Sequence, residues 1–136
     1  MIKQKEIILN EFDRGFHLIT NIIKNSISDF SGNGLLNIFV KHTSAGITIN
    51  ENADPSVRYD FENIINKLIP ENEPYYTHVF EGSDDMPSHV KTSLVGNSIT
   101  IPITNGKMNL GTWQGIYFCE FRNRGGNRKL LLTFYQ

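Results

Sequence analysis

Asp54-Pro55, followed by Val57, Phe61, Ile64, Ile65 and Leu68 and closed by Pro70, is the clearest helix in the chain. Aspartate can accept the free amide hydrogens of a first helical turn. Proline suits the first helical position, where its missing N–H costs nothing. The apolar residues recur at helical spacing, and Pro70 stops the run. Around this helix the patterning changes. Short runs with strand character occupy Lys5–Glu11, Leu35–His42, Ile47–Asn50, Ser98–Ile103, Ile116–Phe121 and Lys129–Tyr135. Gly15–Ile19 continues the first run after a turn at Asp13-Arg14-Gly15, and glycine-bearing turns follow at Asn105-Gly106 and Arg124–Asn127. Two more helical stretches are expected. Thr20 caps one carrying Ile22, Ile23 and Ile27, closed by Ser31-Gly32-Asn33-Gly34. Another spans Pro87–Val95, with Val90 and Leu94 on one face and Gly96-Asn97 as its exit. Many strands with two or three helices give an α+β fold. Its mostly antiparallel sheet forms a β-sandwich-like or distorted-barrel domain.

No linker, repeat or low-complexity segment interrupts the 136 residues, so the expectation is one domain over 1–136. Lys and Arg number 13 against 14 Asp and Glu, a formal net charge of -1. A broad basic surface for nucleic acid needs a large positive excess, so that class is excluded. With Cys119 alone, no intrachain disulfide and no cysteine-based zinc site can form. No run of 18 or more apolar residues occurs, and Ile7–Leu9 is too short for a signal-peptide core. A soluble, cytoplasmic protein with no membrane partner is expected.

Dense polar chemistry gathers in four loops: His42–Gly46, Asn50–Pro55, Glu81–Lys91 and Gly111–Gly115. His42, His78 and His89 lie near strand ends or a helix start. Together they would suit zinc or a similar ion, or they could shuttle protons near neutral pH. Their spacing matches no short metal motif, and a lone histidine is more often a hydrogen-bonded structural residue, as expected of His17. The acidic residues Glu51, Asp54, Asp60, Glu81, Asp84 and Asp85 offer oxygen ligands for Mg2+. Several already have structural explanations: Asp54 as a helix cap, Asp60 on a helix face, and Asp84-Asp85 as the cap of the later helix. Glu51 has the weakest such explanation.

Ser88-His89-Val90-Lys91 opens a helix, where free amides, a lysine and a histidine suit phosphate, and Arg14, Arg124, Arg128 and Lys129 could add contacts. An ordinary capped helix with a solvated lysine explains the same residues equally well. Trp113 is either a core anchor or a stacking platform for a flat ring. Cys119 reads as an inert buried thiol. No nucleophile–base–orienter triad stands out.

Taken together, these loops resemble the YjbQ family, also called the secondary thiamine-phosphate synthase family. The resemblance is carried by Arg14-Gly15-Phe16-His17, HTSAGITINENADPSVRYD (His42–Asp60) and EGSDDMPSHVK (Glu81–Lys91). It continues through SITIPITNGKMNLGTWQGI (Ser98–Ile116) to Gly125-Gly126-Asn127-Arg128. The resemblance implies a compact α+β domain that assembles as a homotrimer, with a polar site near a subunit boundary. It also implies weak thiamine-phosphate synthase activity, joining hydroxymethylpyrimidine diphosphate to a thiazole phosphate with release of pyrophosphate. The family's polar positions fall on His42, Thr43, Asn50, Glu51, Asp54, Asp60, His78, Asp84, His89, Lys91, Thr112, Trp113, Gln114 and Glu120.

Such a reaction needs a departing pyrophosphate neutralised and a flat ring held. The expected catalytic set is His42, Glu51, His78, His89 and Lys91. Thr43, Asn50, Asp84, Thr112, Trp113 and Gln114 are expected to bind substrate. Lys91 and the Ser88–His89 helix start would stabilise the leaving group, and His42 or His78 would handle protons. A divalent metal is expected, with His42, His78 and His89 as ligands for zinc or Glu51 and Asp84 for Mg2+. The alternative is a trimeric protein that binds a divalent metal or a small phosphorylated metabolite, with synthase activity incidental.

Overall fold

The computed structural model describes residues Met1 to Gln136. Its elements follow in the order β1 (Ile2–Leu9), β2 (Gly15–Leu18), α1 (Thr20–Ser26), β3 (Gly34–Val40), β4 (Ala45–Glu51) and α2 (Pro55–Leu68). After them come α3 (Asp85–Val95), β5 (Ser98–Thr104), β6 (Lys107–Met108), β7 (Gln114–Glu120) and β8 (Arg128–Tyr135). A five-stranded sheet runs β1-β8-β3-β5-β6 and a three-stranded sheet runs β2-β7-β4. Every pairing is antiparallel, so the α+β expectation holds.

Alternation along the strands builds the core. Leu130, Leu132 and Phe134 of β8 stand opposite Val40, Ile38 and Leu36 of β3. All six are buried, together with Ile47 of β4, Ile116 and Phe118 of β7, and Ile23 of α1. Each such side chain contributes roughly 1.5–3 kcal/mol on burial. The opposite face of β7 is covered too. Tyr117 and Cys119 join Phe16 and Phe121 in a second cluster, against which Phe61 and Ile65 of α2 pack. The Phe16 and Phe61 rings stack at 5.4 Å. β7 therefore lies between the large sheet and the helices, which is why Ile116–Cys119 reads as a continuous apolar run and not an alternating one. Burial also pushes the Cys119 thiol well above its ordinary range, in keeping with an inert role.

The helix boundaries depart from the sequence expectations in two places. Thr20 does not cap α1. It is the first helical residue, and its hydroxyl accepts the Ile116 amide at 2.9 Å, tying the helix to β7. The later helix, α3, begins at Asp85, two residues before the proline that was expected to open it. Asp54 behaves as read, its carboxylate accepting the Ser56 amide at 2.9 Å.

Two close approaches fix α3 and the neighbouring turn. Gly96 ends α3 at φ +103°, a conformation that favours glycine, and its carbonyl accepts the Ile47 amide of β4 at 3.0 Å. A Cβ on Gly46 would lie 2.7 Å from that same carbonyl, so this register needs glycine at 46. Beneath Ser44, the buried Glu120 carboxylate accepts from Arg128 Nε at 2.7 Å and Nη2 at 2.6 Å. Arg128 Nη2 also reaches the Ser44 hydroxyl at 3.0 Å. Gly125 packs so closely on this pair that any side chain there would collide with the Glu120 carboxylate.

Candidate metal centre

The earlier start of α3 has a chemical consequence. It places Asp85 and His89 four residues apart on one helical face. His78, from the loop between α2 and α3, meets them there. Its Nε2 lies 2.6 Å from Asp85 Oδ2, and His89 Nε2 lies 3.2 Å from the same oxygen. All three potential ligand atoms lie within 4.8 Å of one another.

The surrounding bonds orient each ligand. Asp85 is buried, and its second oxygen, Oδ1, accepts from Arg122 Nη1 at 2.6 Å. Arg122 Nε donates to Asp84 Oδ2 at 2.8 Å, and Nη2 donates to the Glu81 carbonyl at 2.9 Å. One guanidinium thus spans both aspartates and the loop that carries His78. Burial by itself would raise the Asp85 carboxyl. The His78 hydrogen bond, the Arg122 charge and the neighbouring His89 outweigh it and hold the group below the ordinary carboxylate range. His89 Nδ1 sits 2.9 Å from the Thr43 carbonyl. A carbonyl only accepts, so Nδ1 carries the hydrogen, and in the neutral ring Nε2 turns its lone pair toward the Asp85 carboxylate. A lone pair facing an anion calls for a cation between them or a proton on Nε2. Histidine metal ligands are typically oriented by just such a bond from the other ring nitrogen to a carbonyl.

The His78 loop is held at its base. Arg14 Nη1 donates to Glu71 Oε1 at 2.6 Å, and Ser83 donates to Glu71 Oε2 at 2.9 Å. Arg14 also donates to Asn66 Oδ1 at 2.8 Å, an oxygen that accepts from Lys91 Nζ at 2.7 Å as well.

Beside the three ligands opens a cavity of about 650 Å3 lined by His42, Thr43, His89, Thr92, Ser93, Gly96 and Asn97, with no apolar side chain. Thr92 is 7% exposed, and its hydroxyl has no protein partner. Such a wall suits a small polar molecule, and His89 joins the cavity to the His78–Asp85–His89 cluster.

The residues singled out from the sequence fall into three places. His78 and His89 come together, with His42 and Thr43 at the adjoining cavity. His42 does not join the ligand cluster: its Nε2 accepts the Lys129 amide at 2.7 Å. The three histidines read as a zinc set are therefore not gathered at one point in this chain, and Asp85 is the third member of the cluster with His78 and His89. Asp84 lies close by, but its carboxylate is taken up by Arg122 and by the Asn123 amide at 2.9 Å. Lys91 is 1% exposed under α3, so it does not present its ammonium at the helix start. Burial, with Arg14 nearby, lowers its pKa to about 8.

Asn50, Glu51, Trp113 and Gln114 form a separate group around a shallow pocket at the other end of β4, with Thr112 exposed beside them. Glu51 pairs in register with Gln114, and its carbonyl accepts from the Tyr117 hydroxyl. Six residue steps of strand separate Ala45 from Glu51, about 20 Å. Glu51 and Asp84 therefore cannot share one Mg2+ within a protomer. Trp113 is 63% exposed, so it is no core anchor. His17 is structural, as expected: its ring stacks on Phe12 at 4.6 Å, and Nε2 lies 2.6 Å from the Asp13 carbonyl.

Sequence reasoning named Asp85 only among possible Mg2+ ligands, explained it as a helix cap, and passed over Arg122. Asp85 carried a legible signal, since Asp85-Met86-Pro87-Ser88-His89 sets a carboxylate and an imidazole at helical i, i+4 spacing. Arg122 carried none, because only the tertiary fold brings it across to α3.

Comparison with known proteins places the chain. Residues 5–136 match the family described as UPF0047 protein YjbQ-like. The chain is 45% identical over 132 residues to the UPF0047 protein YjbQ of Escherichia coli O157:H7, covering 96% of this chain and 95% of that protein. It is 51% identical over 105 residues to a UPF0047 protein of Methanocaldococcus jannaschii, covering 77% and 70% of the two. A crystal structure of an uncharacterised yjbq/upf0047 family protein from Clostridium acetobutylicum superposes with TM-score 0.83 at 43% identity, covering 96% of this chain and 99% of that one. A YbjQ-like protein of unknown function from Sulfolobus solfataricus shares the fold alone, with TM-score 0.87 at 20% identity over 98% and 96% of the two chains. No helix is long and apolar enough to cross a membrane. With its strand order, its polar loops and these relatives in view, the chain belongs to the YjbQ-like UPF0047 family.

Proposed function

We propose that this protein is a divalent-metal protein acting on a small phosphorylated metabolite, with His78, Asp85 and His89 as the metal ligands. The observation that carries this reading is the orientation of His89. Its Nδ1–H is given to the Thr43 carbonyl, while Nε2 shares Asp85 Oδ2 with His78. Two imidazoles and one carboxylate favour zinc or another transition metal over Mg2+, which prefers an all-oxygen shell. Three protein ligands leave positions open for water or substrate, the pattern of a catalytic and not a purely structural site. A bound metal would act there as a Lewis acid toward a phosphoryl or carbonyl oxygen. The chain's own contribution is to hold the ligands rigidly and to offer hydroxyl and amide groups along the cavity.

Metal analysis of protein purified without a histidine tag tests this directly. About one zinc-type ion per chain is expected, lost in Asp85→Ala and in His89→Ala while circular dichroism is retained. Full metal content in both variants would overturn the assignment.

A second reading, thiamine-phosphate synthase activity, is favoured by the exposed Trp113 ring beside Gln114, an open platform for a pyrimidine or thiazole. In one protomer that platform is remote from the metal ligands. This reading therefore goes with the homotrimer the family resemblance implies, in which the platform of one copy meets the metal end of the next. Pyrophosphate release from hydroxymethylpyrimidine diphosphate and thiazole phosphate would then be lost in Trp113→Ala and in His89→Ala. It would be partly restored when the two variants are refolded together. Absence of release by the wild-type protein removes this reading and leaves the first intact.

A further inference from the structure

Among the groups lining the cavity, His42, like His89, has its hydrogen position dictated by the backbone. The Lys129 amide can only donate, and it lies 2.7 Å from His42 Nε2. Nε2 must therefore be the unprotonated nitrogen, and Nδ1 carries the hydrogen. The surroundings reinforce this state. Burial and the nearby charge of Arg128 lower the His42 pKa, with Lys129 and Lys41 adding to the effect and Glu120 opposing it. A doubly protonated ring would set an N–H against the Lys129 amide. Nδ1–H makes no hydrogen bond within the chain.

Around it the wall is rich in donors. Thr43 and Ser93 are exposed at the cavity, Asn97 adds a carboxamide, and the buried Thr92 hydroxyl is unpartnered. No carboxylate lines the space. Hydroxyls and a carboxamide can donate as well as accept, and with no carboxylate to repel an anion the wall admits a ligand that brings acceptor oxygens.

From this geometry we infer that the cavity beside the metal ligands is an oxyanion subsite, in which His42, fixed as the Nδ1–H tautomer by the Lys129 amide, donates a hydrogen bond to a phosphoryl or carboxylate oxygen of the substrate. The inference deepens the metal-centre reading and rests on it for the position of the substrate's reacting end. It changes the role expected of His42: the residue binds and polarises, and it does not relay protons.

The test separates the two ring nitrogens. In His42→Asn the side-chain amide keeps a donor near the Nδ1 position. In His42→Gln the side-chain oxygen keeps an acceptor for the Lys129 amide and loses the donor at Nδ1. With zinc-loaded protein and inorganic phosphate as the probe, His42→Gln should bind phosphate roughly tenfold or more weakly than wild type. His42→Asn should stay within about threefold of it. Nitrogen-15 spectra of histidine-labelled wild type should show Nδ1 protonated at neutral pH, with the Nδ1–H resonance moving as phosphate is added. An Nε2–H tautomer, wild-type affinity in His42→Gln, or no phosphate binding by the wild type would each overturn the inference. The wild-type spectra decide the tautomer even if a variant fails to fold. Zinc content separates this proposal from the one beneath it. Both variants should keep their metal, and a wild type without metal would sink the metal centre while leaving the tautomer to be read on its own.

Discussion

The two ends of β4 carry polar residues in opposite physical states. At the Ala45 end, Asp85, Glu120 and Arg128 are almost wholly buried, and every one is held by charge-assisted hydrogen bonds. At the Glu51 end, Asn50, Thr112, Trp113 and Gln114 stand in solvent. Burying a charge is costly unless it is paired, so the first arrangement persists only because its partners are in place. That requirement also makes it rigid: side chains oriented by Arg122, Thr43 and Lys129 would need little reorganisation to receive an ion or an anion. The exposed end carries no such constraint. Its hydrogen bonds are local, from the Gly111 amide to Gln114 and from the Glu51 amide to Asn50, and an exposed tryptophan gains most from burial against a ligand or a second copy of the chain.

The contrast breaks hardest at Glu120. Replacing it with alanine leaves the Arg128 guanidinium buried without its carboxylate, and the expected loss is about 3–5 kcal/mol of folding stability. Urea denaturation would measure it. The double variant Glu120→Gln, Arg128→Met removes both charges together and should recover much of that loss. A single variant as stable as wild type would mean that the buried end is not held by this pair.

Arg122 separates the candidate metal site from the scaffold beneath it. Its side chain is more exposed than Arg128 (23% against 6%), so its removal should disturb the fold less. Arg122→Met releases Asp85 Oδ1 and the Glu81 carbonyl together. Loss of a bond that orients a metal ligand typically lowers affinity by about 10–100-fold. Competition with a chelator would read this directly. Arg122→Lys keeps the charge without the fork, and it should recover only part of the affinity. Unchanged zinc affinity in Arg122→Met would show that Asp85 is positioned by α3 alone.

How much of this was legible before the fold was known follows from the distance over which each feature is determined. The α2 helix was readable because its cap, its apolar spacing and its terminating proline all lie within one segment. β7 was readable as a strand but not as one buried on both faces, since only the packing of Phe61 and Ile65 reveals the second. The start of α3 was misplaced because Pro87 is a strong local signal, whereas Asp85 enters the helix through contacts with Arg122 and His78. That shift hid the candidate metal site. Asp85 was read as a cap, and His42, equally polar and equally near a strand end, was grouped with His78 and His89. The Lys129 amide that claims His42 lies 87 residues away in the chain. Trp113 left two readings open, and its exposure removes the core anchor.

The smallest effect is expected at Trp113, and its smallness is what makes the comparison sharp. Removing a side chain that is 63% exposed costs little packing, so Trp113→Ala should change the stability of an isolated protomer by no more than about 0.5 kcal/mol. Its zinc content should match wild type, because the nearest metal ligand belongs to the other end of β4. Any larger loss must come from contacts the single chain does not make. If the ring lies against another copy, the destabilisation will grow with protein concentration in the wild type relative to the variant, as mass action requires for an interface. Denaturation at two protein concentrations distinguishes the cases. A concentration-independent loss well above 0.5 kcal/mol would mean that Trp113 packs within its own chain, and the exposed end would then be as preorganised as the buried one.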